Sequence, residues 1–142
     1  MDEIGDPAVE SVDLLIVDGA NVVGSRPDGW WRDRAGAAAR LHTQLVDASP
    51  AERVILVLEG KARSGVPEAL TGSVRVVHAT GAGDDTIVAE TAAALAEVAI
   101  VAVVTADREL ISRVRRLGAQ VLRPGWLLDR VHSGGPWRGP PP

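Results

Sequence analysis

Short runs of aliphatic and β-branched residues alternate along the chain with longer segments in which apolar positions recur every three to four residues. The runs fall at residues 12–17, 53–58, 74–77, 99–104 and 120–122. Near-continuous apolar content over so few residues marks strands that are covered on both faces. Between the first two runs, a segment starting at Asp33 or Arg34 and reaching Ala48 lines up Ala37, Leu41, Leu45 and Ala48 on one stripe. It stops at Ser49-Pro50, because proline cannot continue a helix. Residues 84–98 align Ile87, Val88, Thr91, Leu95 and Val98, and residues 107–117 align Leu110, Ile111, Val114 and Leu117, with Gly118 placed as a C-cap. A short helix is predicted over residues 67–70 and another over residues 126–131. Strands that alternate with helices in this way build βα units on a parallel sheet. The expected fold is therefore α/β, a three-layer α/β/α domain on a mainly parallel five-stranded sheet.

A chain of 142 residues suits one such domain. It is expected over residues 12–132, between a flexible acidic tail at 1–11 and a flexible Gly/Pro tail at 133–142. No internal repeat is visible. Hydrophobic residues make up 46%, yet there is no Phe or Tyr and only four Trp, so the core is aliphatic. There is also no Cys, which removes disulfides and thiolate metal sites and leaves oxygen or imidazole as the ligands for any metal. No apolar stretch approaches the roughly 20 residues of a membrane span, and no targeting pattern opens the chain, so a cytoplasmic location without membrane contact is expected. A homodimer is compatible with the sequence, which does not fix the oligomeric state.

Net charge is −4, which argues against a polyanionic partner until the acids are located. Asp2, Glu3, Asp6, Glu10 and Asp13 precede the first base, leaving 15 basic against 14 acidic residues in the remainder. Setting aside five acids assigned below to one site leaves 15 against 9. That distribution is a negative pocket in a mildly basic surface, and it is compatible with tracking a phosphate backbone.

In open α/β sheets the functional site lies beyond the carboxyl ends of the strands. The first run ends in Asp18-Gly19, the second in Glu59-Gly60, and the fourth in Thr105-Ala106-Asp107, while Asp84 and Asp85 open the helix before the fourth. Five carboxylates thus converge on one edge with no Lys or Arg at those positions. Unit charges about 4 Å apart repel by roughly 4 kcal/mol at an effective dielectric near 20, so protons or cations must neutralise such a cluster. Hard oxygen ligands select Mg²⁺ or Mn²⁺, ions that serve phosphate-ester hydrolysis by activating a water for in-line attack. The plainer reading of Asp84, Asp85 and Asp107 is helix capping, and that of Glu59 a solvated strand end. It is the combination that favours a site.

Three segments carry a family resemblance: Asp18-Gly19-Ala20-Asn21-Val22-Val23-Gly24, Gly83-Asp84-Asp85-Thr86-Ile87 and Thr105-Ala106-Asp107-Arg108-Glu109-Leu110. In order and spacing, across residues 12–122, they resemble the motifs of NYN domains in the PIN-like nuclease superfamily, particularly the small bacterial YacP-like proteins. The resemblance implies a PIN-like, Rossmann-like domain and a metal-dependent ribonuclease that hydrolyses RNA phosphodiesters. It implies Mg²⁺ or Mn²⁺ held by Asp18, Asp84 and Asp107, with Glu59 a further ligand candidate and Asp85 assisting the chemistry. Asn21, Thr105 and Arg108 are the corresponding candidates for orienting groups or substrate. Glu59 varies in the family, and Ala106 stands where a Ser is frequent. The alternatives are a non-catalytic RNA-binding module of the same fold and a phosphohydrolase of small nucleotides.

The segment after the first motif holds Arg26, Trp30, Trp31 and Arg32 beside the same edge. Aromatic rings interleaved with Arg are what single-stranded RNA binding uses, by stacking and phosphate contact. The sequence therefore nominates Arg26, Arg32 and one of the two Trp as substrate contacts, against a plain packing role for both rings. Gly81-Ala82-Gly83 does not make a dinucleotide loop, because Asp84-Asp85 would repel a pyrophosphate, and Gly60-Lys61-Ala62 is not a phosphate-binding P-loop. His78 and Arg123 stand where a phosphoacceptor receiver domain would want Asp and Lys. His42 and His132 read as packing or surface residues, and His78, at a strand end, as a lesser candidate for substrate contact.

Overall fold

The computed structural model describes residues 12–131, so the two predicted tails, together with His132 and Trp137, lie outside the described residues. The sheet has six strands: β1 (Leu14–Asp18), β2 (Arg53–Leu58), β3 (Leu70–Thr71), β4 (Val74–His78), β5 (Val101–Val104) and β6 (Gln120–Leu122). Their order is β3-β4-β2-β1-β5-β6, and every pairing is parallel except that of β3 with β4. Helices α1 (Gly19–Gly24), α2 (Arg34–Ala48) and α5 (Pro124–Val131) cover one face, and α3 (Gly83–Leu95) and α4 (Arg108–Leu117) cover the other. The result is the expected three-layer α/β/α domain. Among the described residues no helix is long and apolar enough to cross a membrane.

Alternation along β1 explains the two cores. Leu15 and Val17 enter the layer of α2 and α5 with Leu41, Leu45, Leu56 and Leu127, whereas Leu14 and Ile16 enter the layer of α3 and α4 with Ile87, Leu110 and Val114. Successive side chains of a strand point to opposite faces, so a strand buried on both sides is apolar throughout, and all five residues of β1 are buried. The predicted stripe of α2 is buried as drawn. The helix stops where Ser49 takes a left-handed φ of 44° ahead of Pro50. Gly118, at φ 106°, ends α4 with its N–H bonded to Arg115 and Val114 carbonyls.

The strand order places β1 centrally, with β2 on one side and β5 on the other. The chain first builds outward through β2 and β4, then returns across β1 to lay down β5 and β6. This reversal is the kind of switch point beyond which α/β sheets bind ligands.

Two expectations are corrected, the helix over residues 67–70 and the count of five strands. Residues 67–70 form no helix: Leu70 and Thr71 pair antiparallel with Arg75 and Val74, which adds a sixth strand. The cause is Gly72, whose φ of 58° allows a two-residue hairpin turn that residues without this freedom resist. The segment after Asp18 is helical at once, forming α1, and further short 3₁₀ turns occupy Trp30–Arg32 and Gly60–Gly65. Gly19 permits the tight start of α1, since a Cβ there would meet the Val57 carbonyl oxygen at 2.6 Å.

Candidate active site

The carboxyl ends of β1 and β5 lie side by side and are joined by a hydrogen-bonded network. Asp18 closes β1 and acts as the N-cap of α1, accepting the Asn21 N–H through Oδ1 at 3.3 Å. Its Oδ2 accepts the hydroxyl of Thr105 at 2.9 Å. Thr105 is fully buried and its oxygen also accepts the N–H of Asp107 at 3.1 Å. Asn21 returns the link, with its side-chain Oδ1 accepting the Ala106 N–H at 2.8 Å. The first and third motifs are thereby tied to each other through Thr105 and Asn21.

Asp107 caps α4 by accepting the Leu110 N–H at 2.9 Å. The start of α3 is organised differently. Its N-cap residue is Ala82, which offers no side-chain acceptor, and the Gly83 N–H is taken at 2.7 Å by Glu59 from the end of β2. A Cβ at position 83 would press on that carboxylate and displace it. Glu59 therefore braces β2 against α3, which its strand-end position alone did not reveal.

Electrostatics show which acids feel each other. Burial pushes the Asp18 carboxyl up from 3.8 to about 6; the bonds from Thr105 and Asn21 oppose the rise, and the charges of Asp84 and Glu59 add to it. The Asp84 carboxyl is also raised, first by burial and then by Asp107 and Glu59, with Arg113 opposing and Glu109 adding a little. Asp18, Glu59, Asp84 and Asp107 thus form one repulsive group at the sheet edge. Asp85 is not part of it: its carboxylate is 84% exposed and pairs with Arg113 at 3.1 Å.

Oxygen-only donors that repel one another suit a hard divalent cation in chemistry and charge. Their spacing is wider than a closed coordination shell, since among the described residues no three Asp, Glu or His side chains stand together closely enough to hold an ion.

The remaining candidates are distributed around this edge. Trp30 is half-buried against the core, meets Trp31 edge-on with centroids 6.1 Å apart, and carries the Arg34 guanidinium 5.5 Å from its ring centre. Trp31 is 56% exposed, with Arg32 at 5.8 Å from its ring centre. Arg26 is turned to Gln44, to which it donates a hydrogen bond, and burial lowers its pKa. Arg108 lies on the outer side of α4 in an open groove of about 600 Å³ with Arg115 and Arg116. His78 is held by the Val66 carbonyl at 2.7 Å, and His42 is half-buried with its pKa lowered by burial. Sequence reasoning missed an open groove of about 670 Å³ that gathers Arg32, Arg34, Lys61 and Arg63. The signal was available in Gly60-Lys61-Ala62-Arg63, which leaves the same edge as Glu59.

Fold and site together define a three-layer α/β/α domain with an acid cluster at its sheet switch point. Its backbone is similar to that of the solved structure of Rae1 (YacP) from Bacillus subtilis, with a TM-score of 0.62 and 19% identity over 86% of this chain and 76% of that one. At that identity the likeness establishes the fold, and the name it carries is that of the YacP proteins whose motifs the sequence resembles. No family model and no curated protein sequence matches the chain.

Proposed function

We infer that this protein is a metal-dependent ribonuclease that hydrolyses RNA phosphodiester bonds at the β1–β5 edge. The observation that carries the reading is the coupling of Asp18, Glu59, Asp84 and Asp107 at a switch point, where the buried Asp18 carboxyl is raised to about 6 by burial and by its acidic neighbours. A fold gains nothing from such repulsion, and at neutral pH, above the Asp18 value of about 6, a cation resolves it where a proton no longer does. Mg²⁺ or Mn²⁺, when bound, would lower the pKa of a water and offset the charge of the phosphate. Asp18, Asp84 and Asp107 would hold that ion once their carboxylates turn inward from the open spacing they have here, with Glu59 near it and water completing the coordination. Thr105 fixes the Asp18 carboxylate through its hydroxyl, and Asn21 fixes the loop that carries Asp107. Phosphates beyond the cleaved one would meet the Arg and Lys side chains flanking the edge.

A second reading, a non-catalytic RNA-binding module, draws on the open spacing of the acids among the described residues. One experiment separates the two. The full chain is incubated with end-labelled single-stranded RNA in Mn²⁺, in Mg²⁺ and in EDTA, beside Asp107→Asn. Cleavage in either metal that disappears in EDTA and in the variant is expected. Micromolar binding of the same RNAs without cleavage in any condition would transfer the assignment to the binding module.

A further inference from the structure

We propose that the cleft next to Asp18 is a nucleobase subsite, in which one base of single-stranded RNA lies against Trp30 while the adjoining phosphate sits in the groove of Arg32, Arg34, Lys61 and Arg63. The proposal rests on the phosphodiester reading above and deepens it by naming how the nucleotide beside the cleaved bond is held.

The cleft has a volume of about 240 Å³ and is lined by Val23, Leu58, Ala62 and Trp30, together with Glu59 and Arg34. That volume lies below the range of about 300–1,000 Å³ usual for drug-sized ligands, so the space suits a single heterocycle. Gly19, the residue after Asp18, also lines the cleft, which therefore begins one residue from the acid edge. At its other end it runs into the basic groove, because Arg34 and Gly60 line both. The one acid of that groove, Asp33, is occupied as the cap of α2, accepting the Gly36 N–H at 2.9 Å.

An anionic edge, an apolar slot and a cationic groove adjoin one another in that order. The sequence of environments mirrors a nucleotide strand, in which a phosphate, an apolar base and the next phosphate alternate. A phosphate at the edge requires a cation to bridge it to the acids, whereas the next phosphate meets guanidinium and ammonium groups directly. Between them the Trp30 indole lines the slot, an aromatic wall against which any base packs, with the Arg34 guanidinium 5.5 Å from its ring centre. The geometry also selects between the two Trp. Trp30 lines the cleft, whereas the more exposed Trp31 is not among its lining residues.

The test uses the full chain in EDTA, so that binding is read without cleavage, and a fluorescein-labelled uridine decamer beside the same decamer with abasic residues. Anisotropy titrations compare wild type, Trp30→Leu and Ala62→Leu; the second variant fills the slot and leaves the indole in place, should the first fail to fold. Wild type is expected to prefer the decamer with bases by about tenfold, the scale of one base–aromatic stack. Both variants should lose that preference while binding the abasic decamer as before. Equal binding of the two decamers by wild type, or a full preference retained in folded Ala62→Leu, would overturn the subsite. An intact preference in a wild-type protein that cleaves nothing in Mn²⁺ would instead overturn the phosphodiester reading, and would leave a base-binding slot on a non-cleaving protein.

Discussion

Helices α3 and α4 pack against each other and begin at the same sheet edge, each with an acid at its start, but the two starts are built by different means. In α4 the capping acid is its own: Asp107 takes the Leu110 N–H at 2.9 Å. In α3 the cap comes from another strand, with Glu59 taking the Gly83 N–H at 2.7 Å while Asp84 makes no capping bond. Asp107 therefore serves the fold whatever else it does, and Asp84 is an acid whose main charged neighbours are other acids. A carboxylate that adds repulsion and caps nothing points to a ligand more strongly than one with a structural task.

The sharpest way to break that comparison is to remove the charge of Asp84. Asp84→Asn should lose RNA cleavage by at least about a hundredfold, the scale on which electrostatic groups at a reacting phosphate act, while the metal-free protein melts no lower than wild type. A variant that keeps its activity, or melts well below wild type, would make Asp84 a structural residue.

Next in size is the response of Asp18 to pH. Its folded-state value of about 6 lies above the unfolded value of 3.8, so the folded state binds the proton more tightly. The contribution of Asp18 to metal-free stability is then fully present below 3.8 and is lost as the pH rises through about 6, by up to about 3 kcal/mol. Asp18→Asn should abolish most of that fall, so that denaturant unfolding at neutral pH finds the variant more stable than wild type and at low pH finds it equal or weaker. A constant difference across the range would show that the carboxyl is not held in the protonated form. Cation binding must run the other way, strengthening as the pH passes about 6, because the ion competes with the proton.

The smallest effect separates the two helix starts directly. Asp107→Ala removes a cap and should cost about 1 kcal/mol of metal-free stability. The matching Asp84→Ala should cost nothing or add stability. Equal losses in urea denaturation would erase the distinction between the two helices.

Much of this architecture was legible in the chain, and the reasons are local. The runs at β1, β2 and β5 announce strands buried on both sides, and the stripe of α2 matches its buried face, whereas α4 buries Leu110 and Val114 of its stripe and leaves Leu117 exposed. Asp18, Asp84 and Asp107 could be placed at one edge because strand ends and helix starts fix their positions. The short strand β3 was hidden because two residues carry no period, and its existence depends on the turn at Gly72. Helix α1 was hidden because its six residues follow the strand without a break. The role of Glu59 is not written near Glu59: it arises from an N–H twenty-four positions away, which only the fold brings within reach. Asp85 shows the converse, since its place beside Asp84 in sequence suggested the site, whereas one step around the helix turns it to Arg113.

The central claim is that the acid edge is a divalent-cation site, and titration calorimetry of the full chain with Mn²⁺ at neutral pH tests it most directly. Saturable binding and a raised melting temperature in Mn²⁺, both lost in Asp84→Asn, are the predicted results. The absence of binding heat and of any thermal shift at millimolar Mn²⁺, in a protein that is folded and monodisperse, would contradict it.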